Sequence, residues 1–291
     1  MHILLARSAF DTQQIAGNLV TRTASPGSQT RDELSILARL LHRPDLQSRS
    51  AAGWRSLQFP DHPLNSICAD LVCLQAGLDT VAVGPPVLDV SASDAKAISE
   101  SIRGVFSDSD WFFELGANGQ GLVFSATELR GYQQASYRLG DKNLRDLPGL
   151  SGALQTLDAE LQMLLFDHPV NLRRAEQGRA PLSGLWFWDS EPIVAEDSAQ
   201  RGNLPILFSI DATLVAAWNE NNGQVHAEAA IEKLQCPDWV VVLDSMTSQQ
   251  AVLSYLNSGP VRPCYFVDRY GKSFELRSPS MLQRLLQRLS A

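Results

Sequence analysis

One stretch, residues 157–188, constrains the fold of this chain more than any other. Leucines at helical spacing lead into it and predict a helix over residues 151–166 with a buried leucine stripe. Pro169 ends that helix, because proline pushes the residue before it out of the α region. A short second helix is expected next, with Asn171 as its cap and Gly178 at its end.

An aromatic strand closes the same stretch. Trp186, Phe187 and Trp188 follow one another, and successive strand residues face opposite sides of a sheet. The two tryptophans are therefore expected on one face and Phe187 on the other, as in a strand packed between two layers. Together with the two helices, this strand predicts the centre of an α+β unit.

The two ends of the chain carry a different pattern. Short apolar runs are separated by helical or polar segments, at residues 3–7, 204–210, 238–244 and 263–268. Such runs are typical of strands in a sheet that is buried on both faces. We therefore predict an α/β core built from residues 1–64 and 192–291, interrupted by an α+β insert over residues 65–191.

Composition excludes several classes of function. Hydrophobic residues make up 44% and charged residues 19%, with a net charge of −8, which disfavours a nucleic-acid binder because such proteins need a basic surface. No apolar run approaches the roughly 20 residues needed to cross a bilayer, so no membrane partner is expected. The first residues predict a strand and not a secretory signal, and the four scattered cysteines indicate reduced thiols. These features predict a cytoplasmic protein.

The residues around the helix break carry a resemblance. They are His168-Pro169-Val170-Asn171, Arg174, Gly178 and Pro181, followed by the aromatic strand. This series resembles a signature of archaeal-type, cofactor-independent phosphoglycerate mutases, and is closer still to bacterial RpfE-like regulatory proteins that carry the same signature. The resemblance implies an alkaline-phosphatase/phosphoglycerate-mutase-like α/β fold and descent from metal-dependent phosphotransferases.

The chain departs from the mutase pattern in the insert. Cys68 lies where those enzymes have Arg, and Asp70 where they have Asn, whereas Ala69-Asp70 reproduces the regulatory group. An arginine is a planar, bidentate donor suited to phosphate or carboxylate. Its replacement implies that a phosphoglycerate ligand would be held less well.

The chain also departs from the mutase pattern in the two end segments that carry the metal ligands in those enzymes. The first strand has no carboxylate after it until Asp11, and Asp32 takes the place of the nucleophilic serine, with Ser28, Thr30 or Ser35 as displaced substitutes. The strand at 239–243 leads to Asp244 without the paired histidines of the family. A two-metal phosphotransfer site needs several such ligands to clamp its cations. We therefore expect no catalytic residues, no metal ligands and no cofactor.

Five residues stay candidates for ligand binding: His168, Asn171, Arg174, Asp70 and Asp244. A structural role is the alternative for each. His168 would bond the last carbonyls of the first helix, Arg174 would lie on a solvated or ion-paired face, and Asp244 would cap a helix.

These observations favour a degenerate, non-catalytic phosphoglycerate-mutase-like protein with a regulatory or interaction role and a protein partner. One alternative is a divergent metal-dependent phosphomutase or phosphatase that uses Asp11, Asp32, Asp211, Asp244 or His226. Another is a sensor that binds a phosphorylated metabolite without chemistry, for which Arg173 and Arg174 are the first candidates.

Overall fold

A computed structural model provides the structure. It describes residues 2–6, 20–23, 37, 41, 49–59, 66–77, 81–87, 89–105, 111–116, 119–125, 129–135, 144–147, 150, 152–190, 204–209, 211–226, 239–243, 264–267 and 273–277. The chain forms two compact units. The first comprises residues 1–42, 197–210 and 218–291, and the second comprises residues 43–196 and 211–217.

The first unit contains a seven-stranded sheet. Its strands are β1 (His2–Ala6), β2 (Val20–Thr23), β8 (Ile206–Phe208), β9 (Val225–His226), β10 (Trp239–Leu243), β11 (Cys264–Val267) and β12 (Ser273–Arg277). They lie in the order β2-β12-β11-β1-β10-β8-β9. The five strands from β11 to β9 are parallel, and β12 and β2 pair antiparallel at one edge.

The apolar runs of the sequence become the centre of this sheet. β1 pairs with β10 on one side and β11 on the other, so strands from both chain ends are neighbours. Leu207, Phe208 and the stretch 240–242 are fully buried, as expected for parallel strands covered on both faces. The predicted α/β class, with a sheet drawn from both ends of the chain, is confirmed.

The second unit contains a five-stranded antiparallel sheet. Its strands are β3 (Ser66–Ala76), β4 (Val81–Pro86), β5 (Trp111–Leu115), β6 (Gln120–Ser125) and β7 (Gly184–Trp188). Because β3 is eleven residues long, it pairs with β6 and β7 through its first part and with β4 through its end. Gly119 has φ +76°, and a Cβ there would lie 2.7 Å from the carbonyl oxygen of Val87, so the turn into β6 requires glycine.

Helices cover the two faces of this sheet unequally. The helices are α1 (Ala51–Arg55), α2 (Ala92–Val105), α3 (Gly152–Phe166), α4 (Pro169–Glu176) and α5 (Ala212–Glu220), the last of which begins in the second unit and ends in the first. Side chains of α2, α3 and α4 form one apolar core with the sheet residues Ala69, Leu71 and Phe187. The short α1 lies against the opposite face, where Arg55 bonds β3 and β6.

Several predicted elements differ from the observed ones or lie outside the described residues. The stretch 45–65 is rich in Ser, Pro and Asp and predicts a crossing into a second unit, but it contains α1 and a 3₁₀ turn at Ser56–Gln58. A five-residue helix is too short to show a periodic pattern, and Asp189 and Ser190, which bond its first N–H groups, lie far along the chain. The leucines at 34, 37 and 41 predict a helix over residues 32–42, of which Leu37 and Leu41 are described, and both are helical and buried. The leucine spacing after Pro279 predicts a further helix, which lies outside the described residues. The boundaries of the insert at 65 and 191 stay predictions.

None of the helices in the described part of the chain is both long enough and apolar enough to span a membrane.

Candidate functional site

His168 caps helix α4. Its Nδ1 accepts a hydrogen bond from the backbone N–H of Val170 at 3.2 Å, so Nδ1 carries no proton. Its Nε2 lies 3.0 Å from Ser101 Oγ on α2, and donates to that hydroxyl in the tautomer that the cap requires. Burial first, and then the positive charge of Arg173, lower the pKa of His168 below its ordinary value. The imidazole is therefore a neutral bridge between α4 and α2.

Asn171 joins the end of α3 to the start of β7. Its Nδ2 donates to the carbonyls of Leu165 at 2.6 Å and Leu182 at 2.9 Å, while its Oδ1 accepts from the N–H of Leu182 at 2.8 Å. The prediction that Asn171 caps the second helix is wrong. The histidine takes that role because it precedes Pro169, which occupies the first helical turn.

Arg174 is buried and fully engaged. Its guanidinium donates to the carbonyl of Ala180 and to Asp89 Oδ1, both at 2.8 Å. Its side chain is only 3% exposed, so the arginine is ion-paired but not solvated. At the end of α4, Gly178 has φ +66°, and the N–H of Arg179 bonds the carbonyl of Arg174. This glycine termination was predicted from the sequence.

The signature therefore works as a set of internal connections. Ser101 and Asp89 lie on or just before α2, and Leu165 lies on α3, so three polar side chains of the signature tie α4 to both helices. The neighbouring Arg173 adds a 2.6 Å bond to Asp94, and that hydrogen bond is the main cause of the lowered pKa of Asp94.

Asp70 lies on the other face of the five-stranded sheet, in a buried polar cluster. Its Oδ1 accepts from Arg55 and its Oδ2 accepts from the indole Nε1 of Trp188 at 2.6 Å. Arg55 also donates to the carbonyl of Gly121 at 3.0 Å and lies 5.6 Å from the centre of the Trp188 ring. Burial by itself would lower the pKa of Arg55, but neighbouring negative charges, Asp70 foremost, outweigh it and raise that pKa.

Cys68, Gln120 and Asp211 complete the surroundings of this ion pair. Burial raises the pKa of the Cys68 thiol well above its ordinary value, which makes it a poor nucleophile. Gln120 Nε2 donates to Asp211 Oδ2 at 2.8 Å, and Asp211 Oδ1 accepts from the N–H of Leu214 as the cap of α5. Among the described residues, Arg55 Nε and Gln120 Oε1 are buried without a hydrogen-bond partner.

Asp189 directly follows β7, and its contacts are with helix α1. Its Oδ1 accepts from the N–H of Ala52 at 2.9 Å, and Ser190 Oγ accepts from the N–H of Ala51. A carboxylate at a helix N-terminus satisfies free N–H groups there. Burial raises the pKa of Asp189, and the bond from Ala52 opposes that shift.

The structure separates the five candidate ligand-binding residues. His168, Asn171 and Arg174 belong to α4 and pack on the sheet face that carries Ala69 and Leu71. Asp70 alternates with those two residues and points to the other face. Asp244 lies outside the described residues, as do Asp11 and Asp32.

The remaining residues proposed for an enzyme do not form a metal centre in the described part. Asp211 caps α5, and the ring of His226 lies 5.4 Å from that of Phe208. No group of three or more His, Cys, Asp or Glu residues with metal-binding geometry occurs within the ranges that the structure describes.

Sequence reasoning missed Arg55, the residue that organises the polar face. A signal was present: Ser50 is a typical N-cap, and its side chain accepts from the N–H of Gly53. Arg55 then follows the apolar Trp54, which indicates a helix end at the edge of a core. What the sequence does not show is that this arginine pairs with Asp70, which lies two residues after Cys68 on β3.

Comparison with known proteins gives a likeness of fold. No protein-family model matches the chain, and no curated protein matches it. Among solved structures, the chain is similar to the cofactor-independent phosphoglycerate mutase from Thermoplasma acidophilum DSM 1728, with 12% identity and a TM-score of 0.38 over 95% of this chain and 89% of that chain. It is also similar to a protein from Pyrococcus horikoshii, with 8% identity and a TM-score of 0.39 over 95% of this chain and 87% of that chain.

Proposed function

We propose that this chain is a non-catalytic, degenerate phosphoglycerate-mutase-like protein of the bacterial RpfE-like kind, acting in the cytoplasm as a regulatory or interaction protein. One observation carries the proposal: the polar side chains of the 168–181 signature form hydrogen bonds and ion pairs within the protein. His168, Asn171 and Arg174 hold helix α4 in place. His168 bonds α2, Asn171 bonds the end of α3, and Arg174 bonds Asp89, which lies just before α2. A motif used in this way preserves a scaffold.

The polar face of the sheet supports the same proposal. Arg55 occupies the neighbourhood of Cys68, but its charge is neutralised by Asp70. An arginine paired with a buried carboxylate is a poor receptor for phosphate, because the incoming anion would have to displace that carboxylate. The departures from the mutase pattern around Asp11, Asp32 and Asp244 also support a non-catalytic role.

Two measurements on the purified full-length chain test this proposal. Affinity purification from the source cell should yield a stoichiometric protein partner. Assays of phosphoglycerate mutase and phosphatase activity with Mn²⁺ or Mg²⁺ should stay at background. Stoichiometric metal binding accompanied by mutase activity would show that the chain is an enzyme and would contradict the proposal.

The sensor alternative has its own test. A phosphorylated metabolite that binds only the folded form raises the melting temperature by mass action. We expect no shift with phosphate esters, because Arg173 and Arg174 are already bonded to Asp94 and Asp89. A saturable shift would favour the sensor over the interaction protein.

A further inference from the structure

The outer face of helix α3 is apolar where solvent-facing helices are usually polar. Met163 is 71% exposed and Phe166 is 79% exposed, and Ala159 is exposed four residues before Met163. At about 100° per residue these three side chains fall within a sector of roughly 60°. The opposite side of α3 carries the leucines Leu154, Leu157, Leu161 and Leu165, all buried in the core. The helix therefore has two apolar faces, and one of them has no partner in the described chain.

Helix α4 continues the same property. Leu172 is 59% exposed, and Pro169 and Ala175 are exposed three residues to either side of it. Its inner side is fixed by Val170, Asn171 and Arg174, so the orientation of Leu172 is determined by buried contacts. Clustered exposed apolar residues, such as those on the outer sector of α3, are typical of interaction sites.

The charges on this outer face are unbalanced. Arg173, Arg174 and Arg179 are each paired with Asp89 or Asp94. The exposed residues Glu160, Asp167 and Glu176 make no ion pair within the described residues. On the helical wheel, Glu160 and Asp167 border the apolar sector of α3 on one side. The face of α3 is apolar in the middle and acidic along one border.

We propose that the outer face of α3, centred on Met163 and Phe166, docks a basic amphipathic helix of a partner protein. This inference rests on the proposed interaction function and specifies its partner. A partner helix with apolar residues at i, i+4 and i+7 and a Lys or Arg flank complements the spacing and the charge of the face. The flexible thioether of Met163 adapts to such a surface.

Charge argues against the other occupants. A second copy of the chain would place two acidic borders against each other, and like charges in an interface disfavour association. An anionic membrane surface or a nucleic acid would be repelled by the same carboxylates. A basic protein segment is the occupant that gains from both parts of the face.

A photo-crosslinking experiment in the source cell tests the proposal with the full chain. A benzoylphenylalanine residue replaces Met163, and a matched chain carries it instead of Phe112, which is 64% exposed on β5. We expect a crosslinked partner from position 163 only, with mass spectrometry mapping the crosslink to a Lys/Arg-rich amphipathic helix. Crosslinks that are equal at both positions, absent at both, or directed to a second copy or to an acidic segment would overturn the proposal.

The affinity of a synthetic peptide of the mapped segment is then measured for the wild-type chain and its variants. Phe166→Ser should weaken its binding about tenfold or more, whereas Phe112→Ser should leave binding unchanged. Glu160→Lys together with Asp167→Lys should weaken binding at low salt and remove most of its salt dependence. All four residues are exposed, so melting temperatures should stay constant and separate binding from folding. Unchanged binding by Phe166→Ser would contradict the inference.

These results are distinguishable from those on the proposed function. If affinity purification yields a partner but position 163 crosslinks no better than position 112, the interaction function stands and this surface is wrong. If metal-dependent mutase activity appears instead, the proposed function fails first.

Discussion

The two faces of the five-stranded sheet are built on different physical principles. One face is a continuous apolar core that includes Ala69, Leu71, Val123 and Phe187, covered by α2, α3 and α4. The other face carries an ion pair between Arg55 and Asp70 with Trp188 and Gln120 around it. Apolar burial is non-directional and scales with area, whereas a buried ion pair depends on each of its bonds. A substitution on the first face should lower the unfolding free energy in proportion to the side-chain volume removed. On the second face, removal of one partner of the ion pair should by itself be strongly destabilising.

Removal of Asp70 tests the polar face most severely. Asp70→Ala should cost about 3–5 kcal/mol of unfolding free energy, because it leaves the positive charge of Arg55 buried without a partner. Chemical denaturation at neutral pH measures this change. The double variant Arg55→Met with Asp70→Leu should recover most of the loss, since it removes both charges. If Asp70→Ala loses less unfolding free energy than the double variant does, the contrast between the two sheet faces is wrong.

Truncation of one core leucine tests the apolar face. Leu161→Ala should cost about 2–5 kcal/mol, through lost burial and the cavity that remains. Met163→Ala on the same helix is the matched control, because that side chain is 71% exposed and should change stability by about 0.5 kcal/mol or less. Equal effects of the two substitutions would mean that α3 packs in another orientation.

A pH titration tests the cap that holds α4 on the apolar face. The folded state lowers the pKa of His168, so the unfolded state binds the proton more readily. The stability supplied by the cap is therefore complete above the unfolded pKa of about 6.5 and is lost as the pH falls below it. The loss should approach about 1 kcal/mol, the usual contribution of an N-cap.

His168→Asn provides the control for that titration. Asparagine keeps an N-cap oxygen but does not titrate, so the two proteins should have similar stability above about pH 6.5, and the variant should become the more stable of the two as the pH falls. Denaturation curves from pH 5 to 8 give the comparison. A wild-type protein that gains stability relative to the variant toward low pH would show that protonation stabilises the cap, contrary to the bond from Val170.

Asp158 should show the opposite pH dependence. Burial raises its pKa to about 6, although a bond from Gln162 opposes the shift. The folded state then binds the proton more readily than the unfolded state, so this carboxyl lowers stability as the pH rises from about 4 through 6. Asp158→Asn should raise stability by about 1 kcal/mol at pH 7 and by little below pH 4. Stabilisation that is independent of pH would contradict this assignment.

The sequence predicted the apolar face better than the polar one, and the reason is physical. A leucine stripe, a proline break and a glycine at a helix end act over a few residues, so α3, α4 and β7 were predicted with nearly their observed bounds. Alternation in the strand also placed Trp186 and Trp188 on one face, where Trp186 stacks on Tyr132 with ring centres 3.9 Å apart. Local rules were sufficient for these features.

The roles of individual polar side chains were harder to predict. Sequence reasoning gave the capping role to Asn171, but the geometry around Pro169 gives it to His168. The choice depends on where the carbonyls of Leu165 and Leu182 lie, and one of these is eleven residues away.

By itself, the sequence determined that this chain is an α/β protein with strands from both ends and an α+β unit between them, because hydrophobic periodicity and chain breakers are local signals. Only the tertiary structure decided that Arg55 meets Asp70 across 15 residues, that Asp189 caps a helix 137 residues earlier, and that Met163 and Phe166 face outward. Long-range pairing of charges depends on how strands and helices assemble, and no window along the chain contains both partners.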